Sequence, residues 1–266
     1  MRKIAELSDL TGRVALITGG AGHLGLAFGE TLAEMGARVV VVDYYEEAVM
    51  KRVEHLRRYG QEAYGLACDL SDTAQARQVI QRAHEVAGRI DILVHSAAIA
   101  GITPLAGWKE PLERQTEEAW NAAMKINLTA AFSLVQEARP YLKASGHGSV
   151  ILVSSIYGHV GPDMRLYEGT GMANPIAYGV TKAGLMQLAR HFATELAPEI
   201  RVNTISPGGI WRAQPEAFVQ RYEERTPLKR MATEEDFKGA IGFLASDLSA
   251  YVTGQDLVVD GGWTAW

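Results

Sequence analysis

Short apolar runs rich in Val, Ile and Leu alternate along the chain with longer stretches in which apolar residues recur every three or four positions. The first pattern belongs to strands covered on both faces, the second to amphipathic helices. Strands are predicted at 14–18, 38–42, 63–67, 90–95, 149–154, 201–205 and 256–259. Helices are predicted at 24–35, 46–58, 72–87, 117–142, 178–196, 215–224 and 234–245. This alternation predicts βαβ units, a parallel sheet and a single-domain, three-layer doubly wound (Rossmann) α/β fold over 1–266. No repeat, low-complexity tract or linker composition divides it. Two connections, 100–116 and 158–175, are longer than such a fold requires. They follow the fourth and fifth strands, at the sheet edge where ligands bind in open α/β folds.

Charge and composition narrow the partners. A net charge of −5, with Lys and Arg scattered among carboxylates, gives no field for a nucleic-acid backbone. The first residues carry a basic pair and then an acid, without the apolar run of a signal peptide, and no stretch is long and apolar enough to span a bilayer. Neither nucleic acid nor membrane is therefore an expected partner. The single cysteine, Cys68, has no internal disulfide partner and no metal-ligand spacing around it. A buried thiol, no metal and a reducing cytoplasm are expected.

The chemistry clusters at strand ends. The first strand runs into Thr18-Gly19-Gly20-Ala21-Gly22-His23-Leu24-Gly25 and then a helix, so bare backbone and unpaired N–H groups face whatever binds there, and a pyrophosphate suits both. Asp43 ends the second strand, where a carboxylate accepts hydrogen bonds from an adenosine ribose and repels a 2′-phosphate. No Arg or Lys lies in the turn or directly after Asp43, so NAD(H) is expected over NADP(H); capping of the following helix is the other reading of Asp43. Tyr178 and Lys182 are four apart on a predicted helix, which puts phenol and ammonium on one face. The cation would lower the phenol towards a working range.

With these motifs the chain resembles the short-chain dehydrogenase/reductase family along almost its whole length. The matches are Thr18-Gly19…Gly25, Asp69, Asn127 in Lys125-Ile126-Asn127-Leu128-Thr129, Ser154-Ser155, Tyr178…Lys182, Ser206-Pro207-Gly208 and Val252-Thr253-Gly254-Gln255…Asp260-Gly261-Gly262. The resemblance implies a catalytic tetrad of Asn127, Ser155, Tyr178 and Lys182, with Ser154 turned into the sheet. It also implies cofactor contacts at Gly19, Gly22, His23, Leu24, Gly25, Asp43, Asp69 with Leu70, Ala97, Ala98, Tyr178, Lys182, Pro207, Gly208 and Ile210. Tyr178 would give the proton in reduction and remove it in oxidation, and Ser155 would hold the substrate oxygen. Lys182 would bind the nicotinamide ribose, and Asn127 a water between Lys182 and solvent. A homotetramer built on the helices at 117–142 and 178–196 is expected from the same resemblance.

Three departures stand out. His23 occupies a usual glycine position, and Gly22 is expected to take over the freedom lost there. His95-Ser96-Ala97-Ala98 stands where the family carries Asn-Asn-Ala-Gly, which removes the first Asn side chain. The Ser155 to Tyr178 spacing is about ten residues longer than usual, and residues 161–172 bring Arg165, Tyr167 and Glu168. With Trp211, these are the candidate substrate residues, and their polarity points to a polyol, sugar, phosphorylated or carboxylated substrate; a solvated flap is the other reading. The insertion and Ser206-Pro207-Gly208-Gly209-Ile210-Trp211…Gln214-Pro215-Glu216 resemble the subgroup known as flagellin modification protein A, associated with amino-sugar or nonulosonic acid supply. Two alternatives remain, a ketoacyl-carrier-protein reductase and a non-catalytic dinucleotide sensor. Trp263 and Trp266 fit a subunit contact, a cover over the site or the core.

Overall fold

In the computed structural model, which describes residues 1–100 and 103–266, the alternation resolves into seven strands: β1 (Val14–Thr18), β2 (Arg38–Asp43), β3 (Ala63–Ala67), β4 (Ile92–His95), β5 (Gly148–Val153), β6 (Ile200–Pro207) and β7 (Asp256–Val259). The helices are α1 (Ile4–Ser8), α2 (His23–Glu34), α3 (Glu46–Arg57), α4 (Thr73–Ala87), α5 (Glu117–Ala123), α6 (Ala130–Ser145), α7 (Ile176–Glu195), α8 (Glu216–Arg225) and α9 (Lys238–Ala245). All strands pair in parallel in the order β3-β2-β1-β4-β5-β6-β7, so the order reverses between β1 and β4 and every strand ends at one edge. Part of the long connection expected at 100–116 lies outside the described residues.

Two cores flank the sheet because successive strand residues face opposite ways. From β1 and β2, Val14, Leu16, Val40 and Val42 pack with α4, α6 and α7, while Ala15, Ile17, Val39 and Val41 pack with α2, α3 and α9. Cys68 is buried in the first core, and burial pushes its thiol up to about 11.

Differences from the predicted elements have local causes. The fourth strand starts at Ile92 because the buried Asp91 caps the sheet instead: Oδ2 accepts from Val14 N at 2.8 Å, and Arg89 pairs with both carboxylate oxygens. The sixth strand runs on to Pro207 because Ser206 and Pro207 still pair with Val258 and Val259. The predicted helix at 117–142 is interrupted by a π-helical segment, Met124–Thr129, between α5 and α6. Such a widened turn re-aims side chains, and this one carries Asn127. α1, with no buried residue, has no periodic signature to find.

Candidate active site

The glycine turn closes on β4 and on its own helix. Gly19 has φ +66°, and a Cβ there would stand 2.6 Å from Ala97 N, so only glycine fits against the segment after β4. A Cβ on Gly25 would stand 2.2 Å from Gly19 O, which lets α2 sit directly on the turn. Gly22 does not take over the freedom lost at His23: it is the N-cap of α2 with φ −71°, and His23 simply begins the helix. Asp43 Oδ2 accepts from Ala21 N at 3.0 Å and Oδ1 from Tyr44 N at 2.7 Å, so this carboxylate shapes the turn. A cation that sequence spacing does not reveal is also here. Arg52, from α3, donates through Nη2 to Ala21 O at 2.9 Å. Asp69 Oδ1 accepts from Ser71 N at 2.8 Å, and the Leu70 side chain is buried in the core, leaving its backbone as the part that could meet an adenosine.

The four proposed catalytic residues converge. Asn127 is fully buried: Oδ1 accepts from Ile99 N at 2.7 Å, and Nδ2 donates to Ile99 O at 3.2 Å and Thr181 Oγ1 at 3.1 Å. Lys182, also buried, donates from Nζ to Val153 O at 2.7 Å, and Nζ lies 5.6 Å from the centroid of the Tyr178 ring. Desolvation lowers this ammonium to about 8. The Tyr178 phenol moves the other way from the expectation that Lys182 would lower it. Burial raises it above the ordinary tyrosine value, a hydrogen bond with Ser155 works against that rise, and the Tyr167 phenol adds to it. The cause is geometric: the ammonium sits over the ring and is spent on a carbonyl. Ser155 also caps a short turn, accepting from Tyr157 N at 3.2 Å, whereas Ser154 donates to Lys182 O at 2.7 Å and ties β5 to α7.

Ser155, Tyr178 and Lys182 line a cavity of about 330 Å³ together with Leu24, Ala98, Pro207, Gly208 and Ile210. Much of the remaining lining is aromatic: Tyr157, Tyr167, Phe218 and Tyr222, with Ile156, Met231 and Gln214. Among the described residues Lys182 is the one charged side chain that lines it.

The insertion supplies part of that lining but not as expected. Leu166 is buried against Phe218, Tyr222, Met231 and Trp263, fixing the segment to α8. Of the four candidate substrate residues only Tyr167 reaches the cavity, where its hydroxyl lies 2.7 Å from that of Tyr157 and accepts from Asn174 Nδ2 at 3.0 Å. Arg165 is a correction: its side chain is 79% exposed and forks onto Asp163. Glu168 is another, exposed and held only through its carbonyl, which accepts from Arg221 at 2.7 Å. Trp211 is a third, 56% exposed and absent from the lining. Charged side chains at a packed aromatic wall are turned out because water solvates them better. Trp263 belongs to the subunit's own core, stacked on Tyr222 with Arg225 over its ring at 4.3 Å, and Trp266 is exposed.

Sequence reasoning missed Tyr157, Gln214, Phe218 and Tyr222. Tyr157 carried a signal, two residues beyond Ser155 in the same turn; Gln214 is set by its bonds to Arg212 N and Ile210 O, and Phe218 and Tyr222 by how α8 docks. It also missed what replaces the family's first Asn. His95 is buried, with Nδ1 3.0 Å from Thr18 Oγ1 and Nε2 3.3 Å from Asn127 O, and burial together with the Lys182 charge lowers it to about 4.

A family model described as enoyl-(acyl carrier protein) reductase matches residues 19–264. The sorbose reductase of Schizosaccharomyces pombe is 31% identical, over 98% of this chain and 99% of its own length. The dehydrogenase/reductase SDR family member 4 of Rattus norvegicus is 33% identical, over 97% and 90%. Among solved structures, a gluconate 5-dehydrogenase from Burkholderia cenocepacia in complex with NADP and tartrate matches with a TM-score of 0.88 at 30% identity, covering 99% of this chain and all of that one.

Proposed function

The chain belongs to the short-chain dehydrogenase/reductase family, and from that premise we propose that it interconverts an uncharged, hydroxyl-rich alcohol and its carbonyl with NAD(H), Tyr178 moving the proton. The coarser activity is that of its relatives, an NAD(P)-dependent oxidoreductase acting on CH–OH groups. What carries the finer reading is one observation: Ser155, Tyr178 and Lys182 share a cavity with Leu24, Pro207, Gly208 and Ile210 and with the phenols of Tyr157, Tyr167 and Tyr222.

The residues present fit a dinucleotide. Gly19 and Gly25 leave the turn bare at the start of α2, and Asp43 stands at the end of β2 where a ribose would lie. Solved relatives include a complex with NADP and one with NAD+; the Asp43 carboxylate is the ground for proposing NAD. When bound, the nicotinamide supplies or accepts the hydride. The chain's own residues do the rest. Ser155 hydrogen-bonds the substrate oxygen and strengthens its hold as charge grows there. Tyr178 delivers a proton to that oxygen in reduction and takes it away in oxidation. Lys182, anchored on the Val153 carbonyl, presents a cation over the Tyr178 ring, and Asn127 braces the segment around Ile99 against α7.

The substrate proposal rests on the wall. Four hydroxyls, on Ser155, Tyr157, Tyr167 and Tyr222, and the Gln214 amide can meet sugar hydroxyls, while Phe218 and the tyrosine rings face C–H edges. With Arg165 turned away, no side chain from the insertion answers a phosphate or carboxylate. Residues 158–175 thus act as an active-site insertion, and its length keeps the flagellin modification protein A subgroup, with a sugar-derived substrate, within the proposal. A homotetramer through α5, α6 and α7 is supported by exposed Trp120, Phe132, Ile176 and Val180 on those helices. No described helix is long and apolar enough to cross a membrane, and the buried, unpaired Cys68 supports a cytoplasmic location.

The test is a turnover panel with NAD(H) and NADP(H) over polyols, keto-sugars, sugar acids, aliphatic ketones and ketoacyl thioesters. Neutral polyol or keto-sugar turnover is expected. Turnover confined to the thioesters would replace this reading with the carrier-protein reductase.

A further inference from the structure

Outside the cavity a carboxylate and two basic side chains join both rims of the cleft. After β6, residues 209–211 run beside Ala232: Ala232 N donates to Gly209 O and Trp211 N to Ala232 O, each at 2.9 Å, and Ile210 and Ala232 form a parallel bridge. This short ladder sets Arg212 next to Glu234, Nη2 to Oε1 2.7 Å. The same Oε1 lies 3.7 Å from Nδ1 of His23, the first residue of α2. One rim is the start of α2 with the glycine turn; the other is the segment following β6.

Glu234 has no evident task in holding the chain. The turn it begins is capped by Thr233 and Asp236, and Asp236 is forked by Arg230. The Arg212 backbone does not depend on its side chain, because Arg212 N donates to Gln214 Oε1 at 2.6 Å and Gln214 Nε2 to Ile210 O at 2.8 Å; besides Glu234, the guanidinium meets, among the described residues, only the neighbouring Trp211 carbonyl, Nη1 to O 2.8 Å, on the exposed side. A guanidinium forks onto a phosphate as readily as onto a carboxylate, and a partly exposed pair such as this is weakly held.

We propose that Glu234 is a built-in competitor for the diphosphate of the dinucleotide: Arg212 and His23 pair either with Glu234 or with that diphosphate at the start of α2. The inference rests on the dinucleotide reading above. It makes Glu234 a residue that loosens cofactor hold and Arg212 one that tightens it.

Isothermal titration of the full chain with NADH, ADP and adenosine tests this without turnover. Glu234→Gln should bind NADH and ADP three- to tenfold more tightly and adenosine unchanged. Arg212→Met should bind both phosphate-bearing ligands at least tenfold more weakly, again with adenosine unchanged. In the double variant most of the Glu234→Gln gain should vanish, since the two substitutions act on one interaction. Urea midpoints close to wild type would show that the variants are folded. Unchanged or weaker NADH binding by a folded Glu234→Gln would overturn the inference alone. Wild-type protein that binds no NADH would overturn the oxidoreductase reading with it.

Discussion

The imidazole of His95 stands between Thr18 and the π-helical segment, its Nε2 3.3 Å from the carbonyl oxygen of Asn127. A carbonyl can only accept, so Nε2 carries the proton and Nδ1 accepts from the Thr18 hydroxyl. With burial and the nearby Lys182 charge holding it at about 4, the ring stays neutral in this tautomer at physiological pH. His95→Leu strands the Thr18 hydroxyl and removes one partner of the Asn127 carbonyl, at a cost of about 1–3 kcal/mol. His95→Asn, which reaches one partner but not both, should fall between. Urea unfolding checks this; a leucine variant as stable as wild type would mean that the bridge holds nothing.

Tyr178 is proposed as the proton carrier because its phenol meets Ser155 in the cavity shared with the dinucleotide rim. Tyr178→Phe keeps the ring and the packing. Turnover should fall by about a thousandfold or more, within the span of a lost acid–base group, while the NADH dissociation constant stays within about threefold of wild type. Retained turnover would assign the proton to another residue.

Much of this was legible in the residues, for physical reasons that differ from place to place. The central strands are buried on both faces and read as solid apolar blocks, while β3 and β7, at the two ends of the sheet, are only partly buried; three of the seven, β1, β3 and β7, have the predicted bounds. Asn127, Ser155, Tyr178 and Lys182 were legible as motifs in order, and the fold brings them within one neighbourhood. What escaped depends on contacts between segments far apart. Arg52 reaches Ala21 across 31 positions, and Tyr222 reaches the cavity because α8 packs on Leu166. Arg165, Glu168 and Trp211 misled because polarity near a site was taken as polarity facing it. The sequence carried their chemistry but not their direction.

Lys182 gives a pH dependence whose sign is fixed. Its folded value, about 8, lies below the 10.5 of an unperturbed lysine. Below about 8 both folded and unfolded chains hold the proton; between 8 and 10.5 only the unfolded chain does, so stability rises with pH in that window. The full rise corresponds to about 3 kcal/mol. Relative to Lys182→Met, in which this group is absent and other titrations are shared, wild type should gain stability from pH 8 to 10.5. Urea midpoints of the two proteins across that range measure it, and a constant difference would show that the ammonium is not desolvated.

Asp43 and Arg52 together set the expected cofactor choice. The carboxylate accepts from the Ala21 amide, and the guanidinium donates to the Ala21 carbonyl, so a cation already lies beside the ribose end of the turn. Asp43→Asn removes the repulsion of a 2′-phosphate and leaves that cation. The kcat/KM ratio of NADPH to NADH should rise about tenfold or more, equivalent to about 1.4 kcal/mol. Adding Arg52→Met should cancel part of the rise. A ratio unmoved by Asp43→Asn would show that the carboxylate serves only to shape the turn.

The insertion is held to α8 chiefly by Leu166, buried among Phe218, Tyr222, Met231 and Trp263, with Arg221 and Arg225 clasping the Glu168 carbonyl and the Asp163 carboxylate from outside. Leu166→Ala leaves a cavity at that contact, and such truncations cost about 2–5 kcal/mol. The loss falls on a local packing unit, so the segment should open while the sheet stays folded. Tyr167 would then leave the cavity wall, raising KM for the alcohol several-fold, whereas NADH, held at the opposite rim, should bind as before. Limited proteolysis should cut within residues 161–172 faster than in wild type. If cleavage quickens there but KM does not move, Tyr167 lines the cavity without serving the substrate, and the sugar-facing role of the insertion falls.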